Sequence, residues 1–249
     1  MRLASSLAFL AASAVAVPIA LADDTPSAII DRSLTLEPQT LQPNAAVFLS
    51  HSSAVMDPDP STFDFLEVGA DYGILHHLQA GAVVDIQLSP SSEFSRALVS
   101  GQYQLLAFAA ARVDLGVEHE VGNTSFVFGL GLPVRLKLTD TLAFISNRPF
   151  AYGAEDDLFT FRAGNGQISE YRIPVGILFQ LDSRVALSAR SGFRRVESAD
   201  FIPFGVDAVF SLSRLDVGLS FDLAGQISPD GSPGFFDVLT VRGFAQVRI

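Results

Sequence analysis

Four histidines, His51, His76, His77 and His119, are the natural general-base candidates in this chain of 249 residues. His51-Ser52-Ser53 has the residue types of a nucleophile and its base. Sequence neighbours on a strand project to opposite sides, however, and no acidic residue is placed to orient the imidazole. His76-His77 falls in a predicted tight turn, where adjacent side chains point apart. Gly129-x-Gly131 is not a phosphate loop, because it sits inside a strand pattern and no helix follows. Asp57, Asp59 and Glu155-Asp156-Asp157 supply hard oxygen ligands of the kind calcium takes, but as solvated loop acids they need no metal. With no cysteine, disulfides, thiolate metal sites and a lipid-modified N-terminal cysteine are excluded. The expectation is a protein that is not an enzyme and carries no cofactor or metal.

The chemistry that the spacing does support is electrostatic. In Gly129–Ile145 the odd and even positions separate: Leu130, Leu132, Val134, Leu136 and Leu138 share one face, and Gly129, Gly131, Pro133, Arg135 and Lys137 share the other. The same division recurs along the chain. Polar faces carry Glu67 and Asp71, then Asp85, then Arg112 and Asp114, then Arg135 and Lys137. They continue with Arg172, Arg184 and Arg190, then Asp207, Asp216 and Asp222, and finally Arg242. The opposite faces are aliphatic, as in Val185, Leu187 and Ala189 or Leu215, Val217 and Leu219. Lys or Arg facing lipid at the bilayer midplane costs about 2–4 kcal/mol, so collecting the charges on one face is what a membrane barrel with a polar interior requires. These fourteen charged residues are the candidate pore lining. Read around a closed ring, bases on the sixth, eighth and ninth strands stand across from acids on the second and third. The charges then either close the lumen as ion pairs or set a transverse field across a narrow water-filled pore.

The elements that must hold these side chains are strands. Hydrophobic residues make up 49% of the chain, yet after the N-terminus no run reaches the roughly 20 apolar residues of a spanning helix. Apolar residues dispersed at period two predict about twelve strands, at 44–52, 63–74, 78–88, 97–104, 108–119, 124–138, 141–149, 168–181, 184–195, 201–212, 215–225 and 236–249. Short connections at His76-His77, Leu105–Ala107, Thr139-Asp140, Asp182-Ser183 and Ser213-Arg214 alternate with longer ones at 53–62, 89–96, 150–167, 196–200 and 226–235. Short periplasmic turns opposite long outer loops are the arrangement of an outer-membrane barrel. Phe63, Phe65, Phe126, Phe128, Phe201, Phe204, Phe235 and Phe236 gather at the starts of descending strands, with Phe150 and Phe193 near the ends of ascending ones. Tyr72, Phe179 and Phe210 fall toward the other rim, as girdles would. Phe63, Phe65 and Phe201 share parity with nearby acids and so face inward. Pro133, Pro174 and Pro203 fall inside strands, where they are expected at inward-facing bulges near the upper ends.

Residues 1–22 have the form of a secretory signal: Arg2, an apolar stretch from Leu7 to Ile19, and Ala20-Leu21-Ala22 at the cleavage site. Residues 23–43 are a lead-in, within which Arg32 to Thr40 forms a short plug, an extra strand or a periplasmic approach. Residues 44–249 are the barrel. A net charge of −11 argues against nucleic acid as a partner.

The stretches FLEVGADYGILHHLQAGAVVDI, FVFGLGLPVRLKLTDTLAFI, EYRIPVGILFQLDSRVALSARSGF and FFDVLTVRGFAQVRI, behind a signal peptide, resemble the hairpins of Gram-negative outer-membrane β-barrel proteins of the porin-like kind. The resemblance implies an all-β, antiparallel up-and-down transmembrane barrel exported to the outer membrane. It further implies lipid and lipopolysaccharide around the barrel and insertion by the barrel assembly machinery. Many such barrels end in an aromatic residue, where this chain ends in Ile249. The functional expectation is a narrow passive pore or solute channel for a small solute. The alternative is a closed structural or surface-interaction barrel.

Overall fold

Inward and outward side chains alternate around a single sheet that closes on itself, in a computed structural model that describes residues 28–52, 61–90, 92–120, 123–146, 158–163, 168–197, 199–227 and 238–249. Its strands are β1 (Leu41–Ser52), β2 (Ser61–Leu75), β3 (Leu78–Ser89), β4 (Glu93–Leu106), β5 (Ala109–Glu120), β6 (Asn123–Gly131) and β7 (Arg135–Lys137). They continue with β8 (Leu142–Ile145), β9 (Phe159–Ala163), β10 (Ile168–Gln180), β11 (Val185–Val196), β12 (Ala199–Ser211), β13 (Leu215–Ile227) and β14 (Val238–Val247). All pairings are antiparallel, and β14 pairs with β1 to close the ring.

The barrel has twelve strand positions, because two of them are each built from two segments. β6 and β7 form one stave, broken at Leu132-Pro133; β8 and β9 form the next. β10 pairs with β9 in its upper half and with β8 in its lower half. The expected strand 141–149 therefore stops at Ile145 within the described residues, and Phe159–Ala163, expected in a loop, completes that stave. The upper connections expected at 89–96 and 196–200 are also shorter than the alternation suggests, since β4 starts at Glu93 and β12 at Ala199. Backbone pairing continues above the hydrocarbon layer, where side chains no longer need to alternate in polarity. The short turns and both barrel termini share the lower rim, where Leu41 and Ile249 exchange backbone hydrogen bonds of 2.8 and 2.9 Å.

The outward face is apolar. Leu219 is 57% exposed, and Leu130, Leu132, Leu136, Ile173 and Leu187 are exposed with it. On the inward parity, Glu67, Asp85, Asp114, Glu170 and Asp216 are all buried. This is the reverse of a soluble sandwich and the polarity of a transmembrane barrel. The described residues contain no helix long and apolar enough to cross a membrane; the crossing elements are strands. Phe94, Phe126, Tyr171 and Phe204 ring the upper outer surface, and Tyr72, Tyr103, Phe108, Phe179 and Phe210 the lower one. Phe48 and Phe65 instead stack inside the lumen, with centroids 4.7 Å apart. Phe150, Phe235 and Phe236 lie outside the described residues.

The three strand prolines occupy breaks in the hydrogen-bond ladder in the middle of the wall, a correction to the expected bulges near the upper ends. Pro133 lies in the gap between β6 and β7. Pro174 lies on the part of β10 that faces the gap between β8 and β9. Pro203 faces Gly192 and Phe193, which drop out of the β11–β12 register. A closed barrel has no edge strand, so a residue without an N–H is accommodated where the ladder is locally interrupted.

Candidate functional site

The lower half of the lumen is occupied by the chain's own N-terminal segment. Ile29–Asp31 forms one 3-10 turn, and residues 28–40 run across the inside of the barrel before β1 begins. Of the three roles open to Arg32–Thr40 from sequence, the plug is the one adopted. Ile29 and Ile30 pack in a cluster with Ala46, Ala143, Ile145, Leu178, Ala186, Val209 and Phe244. The polar contacts are distributed around the ring. Ile30 N donates to Gln180 Oε1 at 3.2 Å, Leu36 N to Gln79 Oε1 at 2.9 Å, and Ser33 Oγ to Gln104 Oε1 at 2.6 Å. Gln102 donates to the Leu34 carbonyl. Arg135 Nη1 donates to the carbonyls of Ile29 and Arg32, at 2.9 and 3.1 Å. Lys137 Nζ reaches Asp31 at 2.7 Å. The backbone of Glu37 passes so close to Gly73 that a Cβ there would lie 2.0 Å from the Glu37 carbonyl oxygen; only glycine admits this approach.

Above the plug is a cavity of about 370 Å³, within the size range of small-molecule sites. Arg96, Arg162, Arg172, Arg190, Arg194 and Arg242 line it, with Glu118 and Asp222. Phe48, Phe65, Phe193, Pro174 and Val175 contribute apolar wall.

The charges are paired between neighbours rather than across the lumen. Arg190 donates to Asp207 at 2.7 and 3.0 Å and to Asp222 at 2.7 Å; Ser188 and Ser220 also donate to Asp207. Gly205 leaves room for this group, since a Cβ there would meet Asp222 Oδ1 at 2.2 Å. Arg96 donates to Asp85 at 2.7 Å, and Arg112 to Asp114 at 2.8 and 2.9 Å. Arg242 pairs with Glu67 past the small Ala46 on the strand between them. Adjacent strands lie about 4.8 Å apart, so inward side chains meet their neighbours long before they reach the far wall. The expected facing walls of opposite sign are therefore replaced by local neutralisation.

Of the fourteen candidates read from sequence, Glu67, Asp71, Asp85, Arg112, Asp114, Arg135, Arg172, Arg190, Asp207, Asp216, Asp222 and Arg242 stand on the inward parity of the wall. Lys137 is at the lower rim beside Asp31 and Asp140. Arg184 is exposed in the turn before β11, its N–H donating to Asp182 Oδ1 at 2.7 Å.

A second group stands at the top of the lumen, in which parity identifies Arg172 but not Glu170 or Arg162. Glu170 is fully buried and accepts bonds from three arginines, Arg162, Arg172 and Arg194. Arg162 also pairs with Glu118. Arg162 was hidden because a long loop was expected there. The signal was present in Thr160-x-Arg162 and Glu170-x-Arg172, each a polar pair at period two. Among the histidines, His51 and His119 bond to Thr62 and Thr124 near the upper rim, both at 3.0 Å. His76 lies 3.7 Å from Glu37 at the lower rim. Asp57, Asp59, the 155–157 acids and residues 1–22 lie outside the described residues.

No family model and no curated protein matches the chain. Solved structures do. The β domain of the Bordetella autotransporter BrkA is similar with a TM-score of 0.54 at 11% identity, over 85% of this chain and 100% of that one. The KdgM porin in complex with disordered oligogalacturonate gives 0.52 at 10% identity, over 83% and 98%. The NanC porin gives 0.50 at 8% identity, over 82% and 100%. At these identities the likeness is one of fold, and the fold is that of outer-membrane β-barrels.

Proposed function

We propose that the protein is a narrow passive pore of the outer membrane for small solutes, entered from the long-loop end and constricted at the periplasmic end by residues 28–40. The observation that carries this reading is the charged cavity above the plug, lined by side chains whose ion pairs hold them against the wall and leave the centre open. A barrel of this size stands between those that side chains fill and those that leave a wide channel. Glu67, Asp71, Asp85, Arg112, Asp114, Arg172, Arg190, Asp207, Asp222 and Arg242 are the wall of the passage in this reading. Arg135 and Asp216 secure the constriction. That KdgM and NanC are porins supports the reading by analogy of fold. Planar-bilayer recording of the refolded protein tests it: discrete, ohmic single-channel steps are expected, and a membrane that stays silent at high protein concentration overturns it.

A second reading is favoured by the plug itself. A segment bonded to so many staves could close the lumen, leaving a structural or surface-interaction barrel. It predicts a silent bilayer for the intact chain and steps once the plug is detached.

For biogenesis, lipopolysaccharide is the outer-leaflet neighbour of the apolar belt, and the barrel assembly machinery inserts the barrel.

A further inference from the structure

The pairing of charges around the cavity is uneven. Arg96 and Arg242 each have a carboxylate of their own, and Arg190 lies between two. At the top of β9–β11, three guanidinium groups share Glu170, and among the described residues only Glu118 adds a second negative charge. Glu170 is saturated: Oε1 accepts from Arg172 and Arg194, and Oε2 from Arg162 and Arg194. Arg172 spends only its Nε on this carboxylate, and its two Nη nitrogens have no partner among the described residues. The side chain is part-exposed and lines the cavity beside Arg194, Phe193 and Pro174.

We propose that this cluster is the binding site for a small organic monoanion, a carboxylate attached to an apolar or ring-shaped body. The carboxylate is held by the Nη groups of Arg172, with Arg194 alongside. Three points argue for it. Among the described residues, the cluster holds one more guanidinium than carboxylate. The donors left over form the planar fork that matches a carboxylate with two bonds. The wall next to the fork is apolar, so a purely inorganic ion would leave that surface uncovered while a ring would cover it. Glu170 keeps the arginines in place from behind and is too deeply buried to meet the solute. The proposal rests on the reading of the cavity as a solute passage, whose substrate class it names, but its test does not depend on conduction.

The intact chain, refolded in detergent micelles, is titrated with benzoate and with benzamide, which has the same ring and no charge, and binding is read by saturation-transfer NMR. Benzoate is expected to bind at least about tenfold more tightly than benzamide, a difference one charge-assisted bond supplies. Arg172→Gln is expected to remove that preference, and Arg172→Lys to retain part of it. Both variants leave Glu170 with Arg162 and Arg194, and heat-modifiability on gels confirms that they fold. Equal binding of the two probes, or an unchanged preference in Arg172→Gln, overturns the proposal. A silent bilayer together with selective benzoate binding would remove the pore and leave the site standing.

Discussion

Arg32 and Asp216, separated by 184 residues in sequence, meet inside the barrel as a doubly bonded ion pair, Nη1 to Oδ2 at 2.8 Å and Nη2 to Oδ1 at 3.0 Å. The same carboxylate accepts from Gln246 at 2.6 Å and from Arg248 at 3.1 Å. One side chain on β13 thus ties the N-terminal segment to the strand that closes the ring. Arg32→Ala is expected to detach one end of the plug and raise single-channel conductance without abolishing the barrel. Asp216→Asn leaves two buried guanidinium groups without their acid, which costs about 3–5 kcal/mol where one partner of a buried pair is removed. Urea-dependent unfolding in micelles measures that loss.

Gly73→Val tests the same plug by sterics. The Glu37 carbonyl oxygen is 2.0 Å from where the new Cβ would sit, and Gly73 exchanges backbone bonds with Gln39 and Thr40 at 2.8 and 2.9 Å. The segment must move out. Conductance is expected to rise as in Arg32→Ala, and the double variant to show little further gain, because both changes release one element. Additive increases would show that the two contacts gate separate paths.

Leu219 and Leu138 are both 57% exposed, yet they differ in depth: Leu219 is mid-strand on β13, and Leu138 is in the turn after β7. Leu219→Arg is expected to destabilise the inserted barrel by about 2–4 kcal/mol and Leu138→Arg by about 0–1 kcal/mol. Equilibrium refolding into lipid vesicles reads the difference. Equal effects would mean that the outer face does not meet hydrocarbon.

Glu170→Gln removes the shared acid of Arg162, Arg172 and Arg194. With Glu118 the only carboxylate left in the group among the described residues, the upper lumen gains net positive charge. The reversal potential in a potassium chloride gradient is expected to shift toward chloride selectivity. Stability is expected to fall by about 3–5 kcal/mol, as for other broken buried pairs. A reversal potential identical to that of the parent chain would place the cluster outside the conduction path.

The alternation of Leu130, Leu132, Leu136 and Leu138 against Arg135 and Lys137, repeated along the chain between alternately short and long connections, was enough to determine an all-β barrel of about twelve strands and to say which side chains face lipid, because strand geometry puts successive residues on opposite faces. The inward acids and bases followed from parity alone. Their partners did not. Period two says that Arg190 and Asp207 share a face; only register puts Gly205 opposite Arg190 and leaves space for Asp222. The mid-stave break that places Arg162 on β9, and the prolines beside it, depends on pairing between strands, which no local pattern encodes. The plug was one of three open roles for Arg32–Thr40 because its contacts are carried by single polar residues scattered over the ring, from Gln79 to Asp216. Local periodicity is a property of the backbone and can be read along the chain. Charge pairing and occupancy of the lumen depend on distances between distant residues, and those exist only once the sheet has closed.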